Sequence, residues 1–457
     1  MTEGTTRASV IGLGKLGSPL AACLAAKGLQ VIGVDADPQK VESIRQGHAP
    51  VFEPLLEEMI SRGAGRLHAT SNIAEAVAAS EITFVVVATP SEPAGGFSLR
   101  FVIPVCEEIG RAIAAKGEYH VVVVTSTVMP STTGGPVLEA LERSSGKRAG
   151  RDFGLCYSPE FIALGSVVRD FLNPDFVLIG ESDARAGETL EAIYLRVCDT
   201  SPAVARMNFV NAELTKLSVN TYVTTKISFA NMLARICERL PGSNVDVVTR
   251  ALGLDTRIGG KYLKGAVSYG GPCFPRDNLA LLALAEELGA PAEIAQVTHR
   301  FNRAQIPWLA DLVCSQSPRG TIGVLGLTYK PNTDVVEQSV GLLLASELAS
   351  RGVDVLAYDP AGAQNGAEAL GKAVRLATSA EECIAASEVV VLATPWPEFV
   401  GIPLAGWARG GRPRTILDCW RALPHLAHAG GVLYIGLGLG QEIAAVQEQS
   451  AAGSATK

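Results

Sequence analysis

Of the nine cysteines in this 457-residue chain, one is set apart by its neighbours: Gly270-Gly-Pro-Cys273-Phe-Pro-Arg-Asp277 places a thiol among two glycines and two prolines. Such a segment is a rigid turn that presents its side chain, and Arg276 and Asp277 can set thiolate character and move protons. The chemistry on offer is nucleophilic attack by sulfur. A buried structural thiol is the competing reading, and it suits the other eight cysteines, which lie mostly among apolar or helical neighbours. Lys216 and Asn220 stand four residues apart, on one face of a helical segment, with Glu213 one turn earlier. They either meet one small ligand or form the ordinary polar face of an amphipathic helix.

A second kind of chemistry is written near the start of the chain. An apolar run, Ala8-Ser-Val-Ile-Gly12, leads into Gly12-x-Gly14-x-x-Gly17, and Asp35 closes the next apolar run 23 residues after Gly12. Small residues there let a turn tighten and bring backbone close to a pyrophosphate, whose charge the following helix N-terminus holds. The acid bonds a ribose 2′-hydroxyl and repels a 2′-phosphate, which favours NAD over NADP. Glycines kept for packing alone are the alternative. A later turn, Gly323-x-x-Gly326-x-x-Tyr329-Lys330, lacks the third glycine and is not expected to hold a second dinucleotide. Lys330 either meets a phosphate or is a solvated surface lysine. Ser126-Thr127 and Tyr157-Ser-Pro-Glu160 each follow a strand-like run, where ligands bind in a doubly wound sheet.

The elements that must position these residues follow from periodicity. Residues 8–12 predict a strand, 16–27 a helix and 30–35 a second strand, and further β-branched runs at 82–88 and 121–125 alternate with helical stretches. That is the pattern of a parallel sheet covered on both faces. From about 208 to 240 no proline or glycine interrupts a helical pattern long enough to connect two domains. A mostly helical stretch follows to about 313, then the breaker-rich Ser315-Gln-Ser-Pro-Arg-Gly320 marks a boundary. Beyond it the opening repeats in outline: a strand and turn at 321–326, a helix near 338–351 and a strand ending on Asp359. Even the wording recurs, with Ala78-Ala-Ser-Glu and Ala385-Ala-Ser-Glu each leading into a valine-rich strand ending Ala-Thr-Pro.

Composition removes other classes. The net charge of −7 comes without any basic block, so no nucleic-acid partner is expected. No uncharged apolar run is long enough to span a membrane, and the short polar start is unlike a signal peptide. Nine scattered cysteines without a Cys-x-x-Cys pair point to no disulfide framework and no metal site, and to a cytoplasmic setting.

With the glycine turn, Glu160, the Lys216/Asn220 pair and the Gly-Gly-x-Cys loop in this order, the chain resembles the UDP-glucose/GDP-mannose dehydrogenase family over nearly its whole length. Phe52-Glu53-Pro54, Asn173-Pro-Asp175, Arg257-Ile-Gly259 and Gly326-Leu-Thr-Tyr-Lys330 match as well. The resemblance implies an α/β fold of two Rossmann-like doubly wound domains joined by a long central helix and a helical dimerisation domain. The expected divisions are residues 1–205 for NAD, 206–314 for dimerisation, 315–445 for the UDP-sugar and a disordered tail at 446–457. It also implies oxidation of the C6 alcohol of a nucleotide sugar to a carboxylate, with two NAD reduced per sugar. Cys273 would attack the aldehyde, Lys216 and Asn220 would stabilise the oxyanion, Asp277 and Thr127 would place water, and Glu160 would act as a further base.

By the same resemblance, cofactor contacts fall to Gly12, Gly14, Lys15, Leu16, Gly17, Asp35, Lys40, Thr89, Pro90, Thr127 and Arg276. Substrate contacts fall to Glu160, Phe161, Ile162, Lys216, Asn220, Tyr262, Gly270, Tyr329 and Lys330, with Arg257 reaching in from the second subunit of a homodimer paired through the central helix. Leu164 stands where UDP-glucose members usually carry a second glutamate, and Asp418-Cys-Trp-Arg421 replaces a late Asp-Gly-Arg. The Cys-Phe-Pro-Arg-Asp wording favours UDP-glucose as substrate. A UDP-N-acetylhexosamine is the alternative, followed by a non-catalytic subunit that binds NAD and a nucleotide sugar.

Overall fold

The computed structural model describes residues 6–317 and 320–440, so the tail expected at 446–457 lies outside the described residues. Packing divides the chain into two compact units, one of residues 1–219 with 286–288 and one of 220–285 with 289–457, and the boundary falls inside a single helix.

The first unit is built on one sheet. Its strands are β1 (Arg7–Ile11), β2 (Gln30–Val34), β3 (Leu67–Thr70), β4 (Ile82–Val85), β5 (Val121–Val124), β6 (Gly154–Tyr157), β7 (Phe176–Glu181) and β8 (Ala203–Met207). They lie in the order β3-β2-β1-β4-β5-β6-β7-β8, parallel except where β7 runs against β6. In β5, Val121 and Val123 enter one buried core while Val122 and Val124 enter another. The two-residue period thus feeds both faces, which is why the strand is an unbroken run of valine. Strand order reverses between β1 and β4, and ligands of open α/β sheets bind at that switch point.

The second unit repeats the plan. Its strands, β9 (Ile322–Leu325), β10 (Val355–Tyr358), β11 (Arg375–Leu376), β12 (Val389–Leu392), β13 (Arg414–Asp418) and β14 (Val432–Gly436), are all parallel in the order β11-β10-β9-β12-β13-β14. Two Rossmann-like sheets and the long helix agree with the fold class read from the sequence. That helix runs Phe209–Cys237 and stops short of residue 240, because Pro241 disfavours helical geometry in the residue before it. One stretch departs from expectation: residues 254–269 are turns and irregular backbone, where a mostly helical segment was expected, while 270–273 form the turn that was expected there. Gly259, Gly260 and Gly265 within it, with Gly253 just before, account for this.

Candidate active site

In the first unit the glycine turn follows β1. Gly12 has φ +101°, and a β-carbon there would lie 2.3 Å from Val86 O; a β-carbon on Gly17 would lie 1.8 Å from Gly12 O. Neither position admits a side chain, whereas Gly14 faces open space. Lys15 and Leu16 complete the turn into the helix Gly17–Ala26. At the end of β2, Asp35 accepts from Leu13 N at 2.7 Å and Asp37 N at 2.8 Å, with Lys40 Nζ 3.5 Å away. Open approach at Gly14, a helix N-terminus and a fixed acid fit a dinucleotide. Thr89 and Pro90 follow β4, and Ser126 Oγ, beside Thr127, ties the loop after β5 to Val87 O at 2.7 Å.

Glu160 and Phe161 follow β6 at the same edge of the sheet. Lys216, on the long helix, donates to Glu160 O at 2.6 Å and lies over the Phe161 ring at 4.6 Å, and Phe161 in turn meets Phe176 at 4.7 Å. Burial pushes the Glu160 carboxyl up to about 7, against the lowering effects of the Tyr194 hydroxyl and Lys216. The loop beyond, which carries Ile162 and Leu164, is fastened at its far end by Glu53, whose carboxylate accepts from Gly165 N at 2.7 Å and Val167 N at 2.8 Å. One turn before Lys216, buried Glu213 accepts from Ser131 N and Thr133 N, both at 2.7 Å. Glu213 therefore braces the backbone that follows Thr127.

In the second unit, Cys273 is exposed and directly precedes the helix Phe274–Glu287. A thiol at the start of a helix and open to solvent is placed to meet a substrate. Asp277 N closes the first turn on Cys273 O at 2.8 Å, and the buried Asp277 carboxyl accepts from Asn220 Nδ2 at 2.5 Å, with Arg276 Nε at 3.4 Å. By contrast, burial pushes the thiols of Cys23, Cys106 and Cys383 up to about 12, so they stay protonated. The loop before Cys273 is held by two buried asparagines. Asn231 accepts from Ala266 N at 2.8 Å and donates to Val267 O at 2.6 Å; Asn302 does the same for Tyr269 N at 2.8 Å and Tyr269 O at 3.0 Å. A β-carbon on Gly270 would lie 2.1 Å from Gln338 O and one on Gly271 2.7 Å from Tyr329, so the cysteine loop rests on the segment carrying Tyr329 and Lys330. Tyr262 meets Phe274 edge to face at 6.2 Å. Arg257 joins none of these: its side chain is 87% exposed and pairs with Asp255 at 2.6 Å.

The second glycine turn copies the first in detail and then closes. Gly326 has φ +96°, and a β-carbon on Gly341 would lie 1.8 Å from Gly326 O, as one on Gly17 would from Gly12 O. The missing third glycine is therefore Gly341, displaced by an insertion that carries Tyr329, Lys330 and Gln338. Asp359, the counterpart of Asp35, is 1% exposed and accepts from Leu327 N, Thr328 N, Thr328 Oγ1, Ala361 N, Gly362 N and Trp396 Nε1. It has no lone pair left for a ribose. Arg421 is likewise occupied, 4% exposed and bonded to Asp246, Leu437 O and Gly265 O.

Sequence spacing brought out Cys273, Asp277, Lys216, Asn220 and Glu160 but none of Tyr194, Asn231 and Asn302, whose partners lie more than 30 residues away. A buried asparagine amid an apolar helix face is the one trace they leave.

Models of the UDP-glucose/GDP-mannose dehydrogenase family match the chain in three successive pieces: the NAD binding domain over residues 6–198, the central domain over 210–304 and the UDP binding domain over 323–425. A UDP-glucose 6-dehydrogenase of Haloferax volcanii is 35% identical over 399 residues, covering 86% of this chain and 92% of that protein. A GDP-mannose 6-dehydrogenase of Pseudomonas aeruginosa is 36% identical over 358 residues, covering 77% of this chain and 81% of its own. The solved structure of a UDP-glucose dehydrogenase from Pyrobaculum islandicum has a TM-score of 0.86 at 34% identity and covers 96% of this chain and 99% of its own.

Proposed function

The chain belongs to the UDP-glucose/GDP-mannose dehydrogenase family, and from that premise we propose that it oxidises the C6 hydroxymethyl of UDP-glucose to the carboxylate of UDP-glucuronate. It is an NAD-dependent oxidoreductase. The observation that carries the reaction is Cys273, exposed at the start of a helix and one turn from the buried, Asn220-bonded Asp277. Likeness to the Pyrobaculum UDP-glucose dehydrogenase over 96% of the chain supports the sugar.

NAD, when bound, accepts one hydride in each of the two oxidations. Gly12, Gly14 and Gly17 make room for its pyrophosphate, with Lys15 and Leu16 in the same turn; Asp35 and Lys40 meet its ribose, and Thr89, Pro90, Thr127 and Arg276 complete the seat. In the first oxidation Glu160 takes the proton of the C6 hydroxyl as the carbon loses hydride. Cys273 sulfur then adds to the resulting aldehyde, and Lys216 with Asn220 stabilises the oxygen of the thiohemiacetal. Loss of the second hydride, with the hydroxyl proton and the one Glu160 had taken both passed to solvent, leaves a thioester. Water, deprotonated by Glu160 and positioned by Asp277 and Thr127, releases the carboxylate and returns the thiol. Phe161, Ile162, Tyr262, Gly270, Tyr329 and Lys330 hold the nucleotide sugar, Lys330 at its phosphates.

Two further readings belong with this one. Tyr222, Phe229, Met232 and Ile236 are exposed at spacings of seven, three and four along the long helix, and Val247 and Val248 are exposed on the next helix. An apolar strip of this kind supports a homodimer in which Arg257 of each subunit serves the other's substrate. A reaction that runs through a reduced thiol is assigned to the reducing cytoplasm. The deciding experiment counts NADH at 340 nm per sugar consumed for UDP-glucose, UDP-GlcNAc, UDP-ManNAc and GDP-mannose. Two NADH per UDP-glucose is expected; turnover with an N-acetyl sugar alone, the sugar that Leu164 would suit, overturns the choice of substrate. Silence with all four makes the chain a binding subunit.

A further inference from the structure

Glu160 is the one carboxyl of its loop, because residue 164 is Leu, and its environment is unusually specific. The Tyr194 hydroxyl, on the helix Ala184–Val197, lies 3.0 Å from Ser158 Oγ and donates to Glu160 Oε1 at 3.1 Å. Tyr194 is 4% exposed and Ser158 1% exposed, and the tyrosine ring is packed against Phe171 at 6.2 Å, so the hydroxyl has no other place to go. The groups facing Glu160 are then Lys216 from the long helix, Tyr194 from its own helix, and the thiols of Cys23 and Cys198. Lys216 donates to the Glu160 backbone carbonyl, whereas Tyr194 donates to the carboxyl itself and so bears on its direction.

We propose that Tyr194 is a positioning residue for the reaction: bracketed by Ser158, it holds one oxygen of Glu160 so that the other is presented as the proton acceptor. The inference rests on the reading of Glu160 as the base. Sequence spacing hides the arrangement, since Tyr194 lies 34 residues from Glu160. Because the hydroxyl donates to the ionised carboxylate, it favours the charged form, and its loss makes that form harder to reach. This opposes the burial that pushes Glu160 up to about 7, and keeps the base ionised near neutral pH.

The test uses Tyr194→Phe in the full chain, which keeps the ring and removes only the hydroxyl, with Ser158→Ala as the second variant. Two quantities are read: the titration of the Glu160 carboxyl by carbon-13 NMR, assigned by its disappearance in Glu160→Gln, and the pH profile of kcat with UDP-glucose. In Tyr194→Phe both the carboxyl titration and the ascending limb of kcat move up by about one pH unit, costing about tenfold in rate below the limb. Ser158→Ala moves both in the same direction by less. A carboxyl that titrates identically in wild type and Tyr194→Phe overturns the proposal. A titration that moves while the limb of kcat stays still removes Glu160 as the base and Tyr194's role with it, whereas the two-NADH count still judges the overall reaction separately.

Discussion

Asn220 Nδ2 donates to Asp277 Oδ2 at 2.5 Å, joining a residue of the long helix to one at the first turn of the helix that Cys273 precedes. An asparagine amide has two N–H groups, so one is committed to Asp277 and one remains for an oxyanion. Replacing Asn220 by Ala removes both and leaves a carboxylate that is 1% exposed with only the more distant Arg276 Nε, at 3.4 Å, of the two donors named above. We expect kcat to fall by about 100-fold and stability by about 1–3 kcal/mol, read by NADH production and by urea unfolding. An unchanged kcat would leave Asn220 a structural residue only.

Cys273→Ser should abolish formation of the sugar acid, because an alkoxide is not available near neutral pH and an ester is a poorer acyl donor. NAD affinity, measured by fluorescence titration, should stay within about twofold, since the dinucleotide turn is remote in sequence and complete without the thiol. Full activity in this variant would end the covalent route.

At Asp35 the expectation concerns cofactor choice. Asp35→Asn keeps an oxygen for Leu13 N but loses the charge that repels a 2′-phosphate, while Lys40, now 3.5 Å from a neutral group, becomes a phosphate partner. The ratio of kcat/KM for NADP over NAD should rise by about tenfold, roughly the worth of 1.4 kcal/mol. If NADP is used no better, another group sets the preference.

Part of the acid stability turns on His120, the residue before β5. Its ring is buried between Thr83 Oγ1 at 2.8 Å and Lys116 Nζ at 3.0 Å, and burial, then Lys116, lowers its pKa to about 3. A folded-state value below the ordinary 6.5 means that the unfolded chain binds the extra proton between pH 6.5 and 3. Stability should therefore be indifferent to this group above pH 6.5 and fall by about 1.4 kcal/mol per pH unit below it. In His120→Gln that share of the slope should vanish from urea melts at pH 6 and pH 5.

Much of this was legible in advance, and the reasons differ by residue. Asp35 could be placed because the rise of a strand, a helix and a strand is nearly invariant, so counting from Gly12 arrives at the carboxylate that follows β2. Cys273 stood out because glycine and proline constrain backbone locally. Gly341 could not be found by counting, since an insertion moved it to 15 residues after Gly326, where Gly17 follows Gly12 by five. Tyr194 was invisible, and the partners of Glu53 were hidden even though Phe52-Glu53-Pro54 stood out as a match, for a different reason: each acts on a partner brought near only when distant strands and helices pack, and pairwise distance in space has no trace in a single sequence. Glu213 was seen as one more polar residue in line with Lys216, yet it points to backbone rather than to a ligand.

A dimer by way of the long helix can be checked on the same protein. Phe229→Glu puts a charge into the exposed apolar strip without touching the buried face, so light scattering at micromolar concentration should shift from dimer toward monomer, and activity should fall with it if Arg257 acts across the interface.

The sealing of Asp359 has a consequence for the order of events. With its six donors in place, the second sheet offers no seat of the first kind, so a saturating titration should find one dinucleotide per chain despite the duplicated architecture. In the reaction proposed above, a sugar that gives up two hydrides through a single berth must wait, half oxidised, while the spent carrier departs and a fresh one arrives. In the proposed reaction the sulfur of Cys273 is the group able to retain the intermediate across that interval.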